Sequence, residues 1–340
     1  VNDVPLPVVF EPILKAKPWG GRELERLFGK RLPPETPIGE SWEVAHLPAC
    51  ESRVARGPLA GTTLGELMRR WEGGLVGDVS LVDGRFPLLI KFLDAREKLS
   101  IQVHPRRPAT PGAADPPGIK HEAWYVVDAA PGAGLYIGLL PRVTVDDVRK
   151  AGPSAALAEL LRFRPVKRGD CFYLPSGTPH ALGAGIVVAE IQTPSDVTYR
   201  LYDWGRRGLD GRPRELHFET ALANLLPDVA EHEIVQPRSH SADVFAAVTA
   251  LVRCPRFLID KVRFVAGMVR PLPHAQMVIW IILRGRGRLV RAEGVCSFAP
   301  GDTVMIPAAM DGLRVETEEI CELLEVRIPI PSRYAVGTPA

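Results

Sequence analysis

No run of about eighteen apolar residues occurs anywhere in this 340-residue chain, so a membrane-spanning helix of ordinary length is excluded. A surplus of one charge is lacking too. Forty-two basic and 40 acidic side chains leave +2, which provides no broad field for nucleic acid or an anionic membrane, so any anion must be held by local geometry. The five cysteines, Cys50, Cys171, Cys254, Cys296 and Cys321, show no paired spacing for a zinc knot or a redox couple. Reduced, mostly buried thiols are expected. Val1 to Phe10 lacks the basic start and apolar stretch of a signal peptide, and the chain reads as a soluble cytoplasmic protein.

Glycine and proline are plentiful, 31 and 33 residues, and they cluster between short β-rich runs. Helical periodicity is confined to Arg22–Phe28, Thr63–Trp71, Thr144–Lys150, Ala155–Arg162 and Phe218–Leu225, so the expected class is mainly β with short helical insertions. Thr63 and Thr144 each offer a hydroxyl N-cap with an acidic residue three positions on. From Ser239 the texture becomes nearly continuous strand and turn, clearest at Met277–Leu283, Arg288–Arg291, Thr303–Ile306 and Ile320–Ile328. Pro300 to Ala308 echoes Lys167 to Ser176, each with a Gly-Asp turn, a short strand and a proline, which reads as an internal repeat. That pattern is similar to the second motif of cupins, small double-stranded β-helix barrels. It implies a bicupin with residues 1–238 carrying the chemistry and residues 239–340 forming a second barrel. The second copy has Ala308-Ala309-Met310 where the first has a histidine, so it should bind no metal.

Chemistry concentrates in the first half. Residues two apart on a strand share a face, so Gln102 and His104 can reach one point. Glu122 is expected to open the next strand, because Ala123-Trp124-Tyr125-Val126-Val127 is a run of aromatic and β-branched residues. His180 follows an apolar run and the turn Ser176-Gly177-Thr178-Pro179. Two imidazoles, a carboxylate and an amide oxygen suit Zn2+ better than Ca2+, with Mn2+ and Fe2+ also compatible.

The segment from Pro87 to Pro105, containing Lys98-Leu99-Ser100-Ile101-Gln102-Val103-His104, resembles the signature of type I mannose-6-phosphate isomerases. Lys17-Pro18-Trp19-Gly20-Gly21, Gly39-Glu40-Ser41-Trp42-Glu43, Lys120 to Tyr125 and Pro175 to Arg206 agree with it, and the likeness covers approximately Glu11 to Arg207. It implies one zinc ion per chain on Gln102, His104, Glu122 and His180, the same four residues that spacing brings together. It further implies that Glu190, Asp196 and Arg200 surround the sugar, with Arg200 tied most closely to turnover. Lys91, Lys120 and Arg206 are implied around the phosphosugar, and Ser100 and Ser41 are candidate hydroxyl donors. Arg206 stands where some members have lysine.

The implied reaction interconverts mannose 6-phosphate and fructose 6-phosphate through a cis-enediol, with no redox cofactor. The developing oxyanion must meet fixed positive charge, from zinc or Arg200, while Glu190 or a zinc-polarised group moves the carbon-bound proton. Asp196 would orient Arg200 or substrate hydroxyls. The expected partner is a small sugar phosphate, with neither nucleic acid nor membrane, for a monomer or small homo-oligomer. A different class, a non-catalytic metal-binding cupin acting as a sugar-phosphate sensor or scaffold, is opposed by the presence of Glu190, Asp196 and Arg200. A metal oxygenase would carry a third histidine where Gln102 stands.

Overall fold

The computed structural model describes residues 4–106, 118–272 and 276–330. They are mainly β. In the first half, a six-stranded sheet runs in the order Cys171–Leu174, Glu122–Ala129, Ile186–Gln192, Leu89–Ala95, Ile13–Gly21, Ile38–Val44. A five-stranded sheet has the order Leu161–Pro165, Gly134–Leu139, His180–Leu182, Ile101–Val103, Tyr199–Tyr202. The second half has a seven-stranded sheet, which includes Thr303–Ile306, Val278–Arg284, Cys321–Arg327 and Leu258–Phe264 side by side, and a four-stranded one.

Side chains alternate across a strand, and here both faces of the large sheets are covered. Trp124, Val126, Val188 and Leu93 join one buried cluster with Leu135, Ile137 and Leu182 of the five-stranded sheet. Their neighbours Tyr125, Val127, Ala189, Ile90 and Phe92 point the other way, into a cluster with Ile259, Ile279, Ile281, Leu324 and Val326 of the second half. The two large sheets are thus packed back to back. At about 1.5–3 kcal/mol for each large apolar side chain taken from water, this shared core is a main attachment of one half to the other. The N-terminal strand Val8–Val9 adds to it by pairing with Thr303–Ile306, Val8 opposite Met305 and Val9 opposite Val304.

The repeated Gly-Asp turns have the same construction. Gly169 and Gly301 have φ of 92° and 85°, where a side chain would be strained. Asp170 Oδ2 accepts from Lys167 N at 2.9 Å, and Asp302 Oδ2 accepts from Ala299 N at 2.9 Å.

Both threonine caps form complete capping boxes, before the helices Leu64–Trp71 and Val145–Ala151. The helix expected over Ala155–Arg162 is only Ala156–Glu159. Leu161 and Phe163 instead enter the strand Leu161–Pro165 against Gly134–Leu139, where sheet pairing overrides the local preference. Glu23–Phe28 lacks a cap from Arg22; Asp94, from the strand Leu89–Ala95, accepts from Glu23 N at 2.6 Å instead. The short helices Gly73–Val76 and Glu231–Ile234 were not expected. All five cysteines are free, with Cys171, Cys254 and Cys321 buried and Cys50 and Cys296 partly so. Among the described residues no helix is long and apolar enough to cross a membrane.

Candidate functional site

Alternation along the strands also builds the site. Lys91, Glu122 and Glu190 lie on the face of the six-stranded sheet turned toward the five-stranded one, with Glu190 directly across from Lys91 on one side and Trp124 on the other. Facing them, His180 pairs with Gln102, which pairs in turn with Arg200. Gly177, at φ 88°, makes the turn that delivers His180 to its strand, as glycine readily does.

His104 Nε2 lies 3.3 Å from Glu122 Oε2, and His180 Nε2 lies 3.1 Å from Glu122 Oε1. One potential ligand atom from each of the three falls within 4.8 Å of the other two. The other ring nitrogens face backbone carbonyls: His104 Nδ1 is 3.0 Å from Val197 O and His180 Nδ1 is 2.8 Å from Thr178 O. A carbonyl only accepts, so each Nδ1 carries the proton and each Nε2 lone pair is turned toward Glu122, an arrangement typical of metal-ligating imidazoles. Burial, followed by the Lys120 charge, pushes His104 down to about 3, and burial also lowers His180. Both are therefore neutral, as ligation requires. Burial alone would raise the Glu122 carboxyl, but Lys120 and the two histidines hold it well below the ordinary range. Gln102 Nε2 is 3.2 Å from His180 Nε2, and its Oε1 accepts from Ser100 Oγ at 3.1 Å. This mixed nitrogen and oxygen donor set fits a borderline divalent ion.

Lys120 is itself part of the cluster, with Nζ 2.6 Å from Glu122 Oε2 and 3.0 Å from Glu190 Oε1. Lys91 Nζ is 3.5 Å from Glu40, 3.8 Å from Glu190 and 3.9 Å from Asp196. Although both lysines are buried, these carboxylates raise them above the ordinary lysine value. Burial pushes Glu190 up to about 7, against the pull of Lys120 and Lys91.

A single cavity is lined by Lys91, Ser100, Gln102, Lys120, Glu122, Glu190, Asp196 and Arg200, together with Lys17, Trp19, Glu40, Thr198 and Arg214. Four expected residues are not in its lining: His104 and His180, which meet it through Glu122, and Ser41 and Arg206. Ser41 sits across from Phe92 on the back face and donates to Glu43 Oε1 at 2.5 Å. Arg206 is tied to Lys98 O at 2.7 Å and to Asp203 Oδ1 at 2.6 Å, behind the lining. Asp196 makes no ion pair with Arg200; its cation is Lys91. Of the residues not expected, Lys17, Trp19 and Glu40 lie in the segments that carry the resemblance, a signal that pointed to them without assigning a role. Arg214 had no such signal.

Residues 9–122 match the family model of the type I phosphomannose isomerase catalytic domain. Mannose-6-phosphate isomerase ManA of Bacillus subtilis (strain 168) is 34% identical over 322 residues, covering 93% of this chain and 97% of that protein. The crystal structure of the mannose 6-phosphate isomerase from Bacillus subtilis matches with a TM-score of 0.83 at 32% identity, over 95% of this chain and 99% of that one. A mannose 6-phosphate isomerase bound with zinc and yttrium, 17% identical, shares the fold with a TM-score of 0.70 over 95% of this chain and 99% of its own. Sequence likeness across nearly the whole length of both chains, joined to a common fold, means that this chain belongs to the type I mannose-6-phosphate isomerase family.

Proposed function

We propose that this chain interconverts mannose 6-phosphate and fructose 6-phosphate through a cis-enediol, using one zinc ion held by Gln102, His104, Glu122 and His180. The observation that carries this reading is the convergence of two neutral imidazoles on the ionised Glu122, which lines one cavity with Gln102, Glu190 and Arg200. Gln102 joins the set with its amide turned so that Oε1 faces His180 and Nε2 donates to Ser100, the alternative assignment of the same planar group. The bound ion supplies Lewis-acid polarisation of substrate oxygens.

The chain's own groups do the rest. Glu190, near 7, takes the proton from C2 of the aldose and returns it to C1, while the C2 hydroxyl proton passes to the C1 oxygen; the product is the ketose, with no net gain or loss of protons. Arg200 offers an unpaired guanidinium to the oxygen that becomes negative. Lys120 and Lys91 keep the acidic wall neutralised and stand beside the sugar hydroxyls, Asp196 accepts from a substrate hydroxyl, and Ser100 steadies Gln102. Arg206, assigned to phosphate by resemblance, serves from behind the wall through Asp203. The architecture is read as two cupin barrels, residues 1–238 and 239–340, a reading supported by the order of four adjacent strands that recurs in the two larger sheets.

The purified protein should convert mannose 6-phosphate to fructose 6-phosphate, lose the activity to a chelator and recover it with zinc. Absent or chelator-resistant turnover would overturn the reading.

A further inference from the structure

Around Asp203 the cations outnumber the carboxylates. Buried Asp203 is shared by two guanidinium groups. Arg206 takes the shorter contact, 2.6 Å to Oδ1, and also lies 3.8 Å from Glu97. Arg214 Nη1 spans both Asp203 oxygens at 3.3 Å each and has no other carboxylate. Arg200 makes no ion pair with any described residue, and its buried Nε has no hydrogen-bond partner. Of these three arginines only Arg200 and Arg214 line the cavity. Burial, then the neighbouring charges of Arg200 and Arg206, pull Arg214 below the ordinary arginine value against the opposing effect of Asp203.

Two guanidinium groups face one cavity, Arg214 on a carboxylate already engaged by Arg206 and Arg200 on none, and together they await an anion. Arg200 pairs across the strands with Gln102 of the metal set, whereas Arg214 is anchored on Asp203 and makes no ion pair with Glu122 or Glu190, so Arg214 is the one left for another part of a substrate. A planar guanidinium with Nη1 fixed by Asp203 still presents its remaining N–H groups, and such a fork suits the oxygens of a phosphate dianion.

We propose that Arg214, and not Arg206, is the residue that grips the phosphate of the substrate, with Asp203 holding its guanidinium in place. The choice of a hexose phosphate as the substrate rests on the isomerase reading; the phosphate contact itself does not.

The zinc-loaded wild type is compared with Arg214→Ala and Arg214→Lys, measuring KM and kcat for mannose 6-phosphate and, by calorimetry, the Kd of inorganic phosphate. Loss of a charge-assisted contact should raise KM about 10- to 100-fold in Arg214→Ala, with kcat altered by less than about three-fold. Phosphate should weaken in parallel, and Arg214→Lys should lie between. Unchanged KM and phosphate Kd would overturn the proposal. Should Arg214→Ala not fold, Arg214→Lys decides alone, because an ammonium keeps the charge and loses the fork: weakened phosphate binding supports the proposal and an unchanged Kd sinks it. A wild type that binds phosphate through Arg214 yet turns over no mannose 6-phosphate would leave this contact standing and remove the isomerase reading instead.

Discussion

The two halves repeat one order of four adjacent strands in their larger sheets and differ in the residues set on them. In the first, Glu190 is flanked across the strands by Trp124 and Lys91; in the second, Glu325 is flanked in the same register by Trp280 and Asp260. Glu122, opposite Leu174 and Gln192, corresponds to Val278, opposite Ile306 and Arg327. The second floor is self-satisfied: Trp280 Nε1 donates to Glu325 at 3.0 Å, and Asp260 pairs with Arg253 and Arg327. In the first, lysines and imidazoles crowd the carboxylates instead. Tryptophan and glutamate at these positions are thus compatible with either outcome, and it is the ring of partners around them that separates a reactive wall from a closed one.

Transferring the second half's residue to the first is the severest test. Glu122→Val should lower the bound zinc from one ion to none by elemental analysis and cut kcat by roughly 10²–10³-fold or more. It also takes from Lys120 its 2.6 Å partner and leaves it Glu190 alone, so a lower unfolding free energy is expected. Next comes a matched pair. Glu190→Gln should reduce kcat about 10²–10⁴-fold with zinc retained, whereas Glu325→Gln should leave kcat within about two-fold, as a change remote from the reacting atoms does. Equal effects from the two would erase the distinction between the halves.

The smallest effect concerns Asp94, whose counterpart in the second sheet is the exposed Arg263. Burial pushes the Asp94 carboxyl up to about 6, against backbone donors that lower it. Folding therefore favours its protonated form, a contribution complete below about pH 4, the unfolded value, and lost as pH rises through about 6. Between pH 7 and pH 5 the wild type should gain about 1 kcal/mol relative to Asp94→Asn, read as a difference in how Tm changes with pH.

Local spacing made much of the site legible. Gln102 lies on the strand Ile101–Val103 and His104 follows directly after it, Glu122 opens a strand, and the glycine turn before His180 is written in five consecutive residues. Contacts made only by distant chain segments were not. Arg214 follows a Gly-Arg-Pro turn and reads as an ordinary surface cation until Asp203 and Arg200 are seen beside it. Ser41 looks like a donor, but a one-residue step along a strand turns a side chain to the opposite face. Burial on both sides of the large sheets also conceals alternation, because Leu89–Ala95 and Ile186–Gln192 are mostly apolar throughout. Leu161 joined a strand because Gly134–Leu139 was there to receive it.

The pairing of Val8 with Met305 has a consequence for how the protein is made. Synthesis at about 5–20 residues per second separates those two positions by roughly 15–60 s. Through that interval the nascent first half has no partner sheet for Ile90, Phe92 and Tyr125, which end in the shared core. Its apolar back stays open to water and to other chains, the condition that invites chaperone attention. Val8–Val9 can take its place only after Thr303–Ile306 has been made, so this strand is among the last of the described elements to settle.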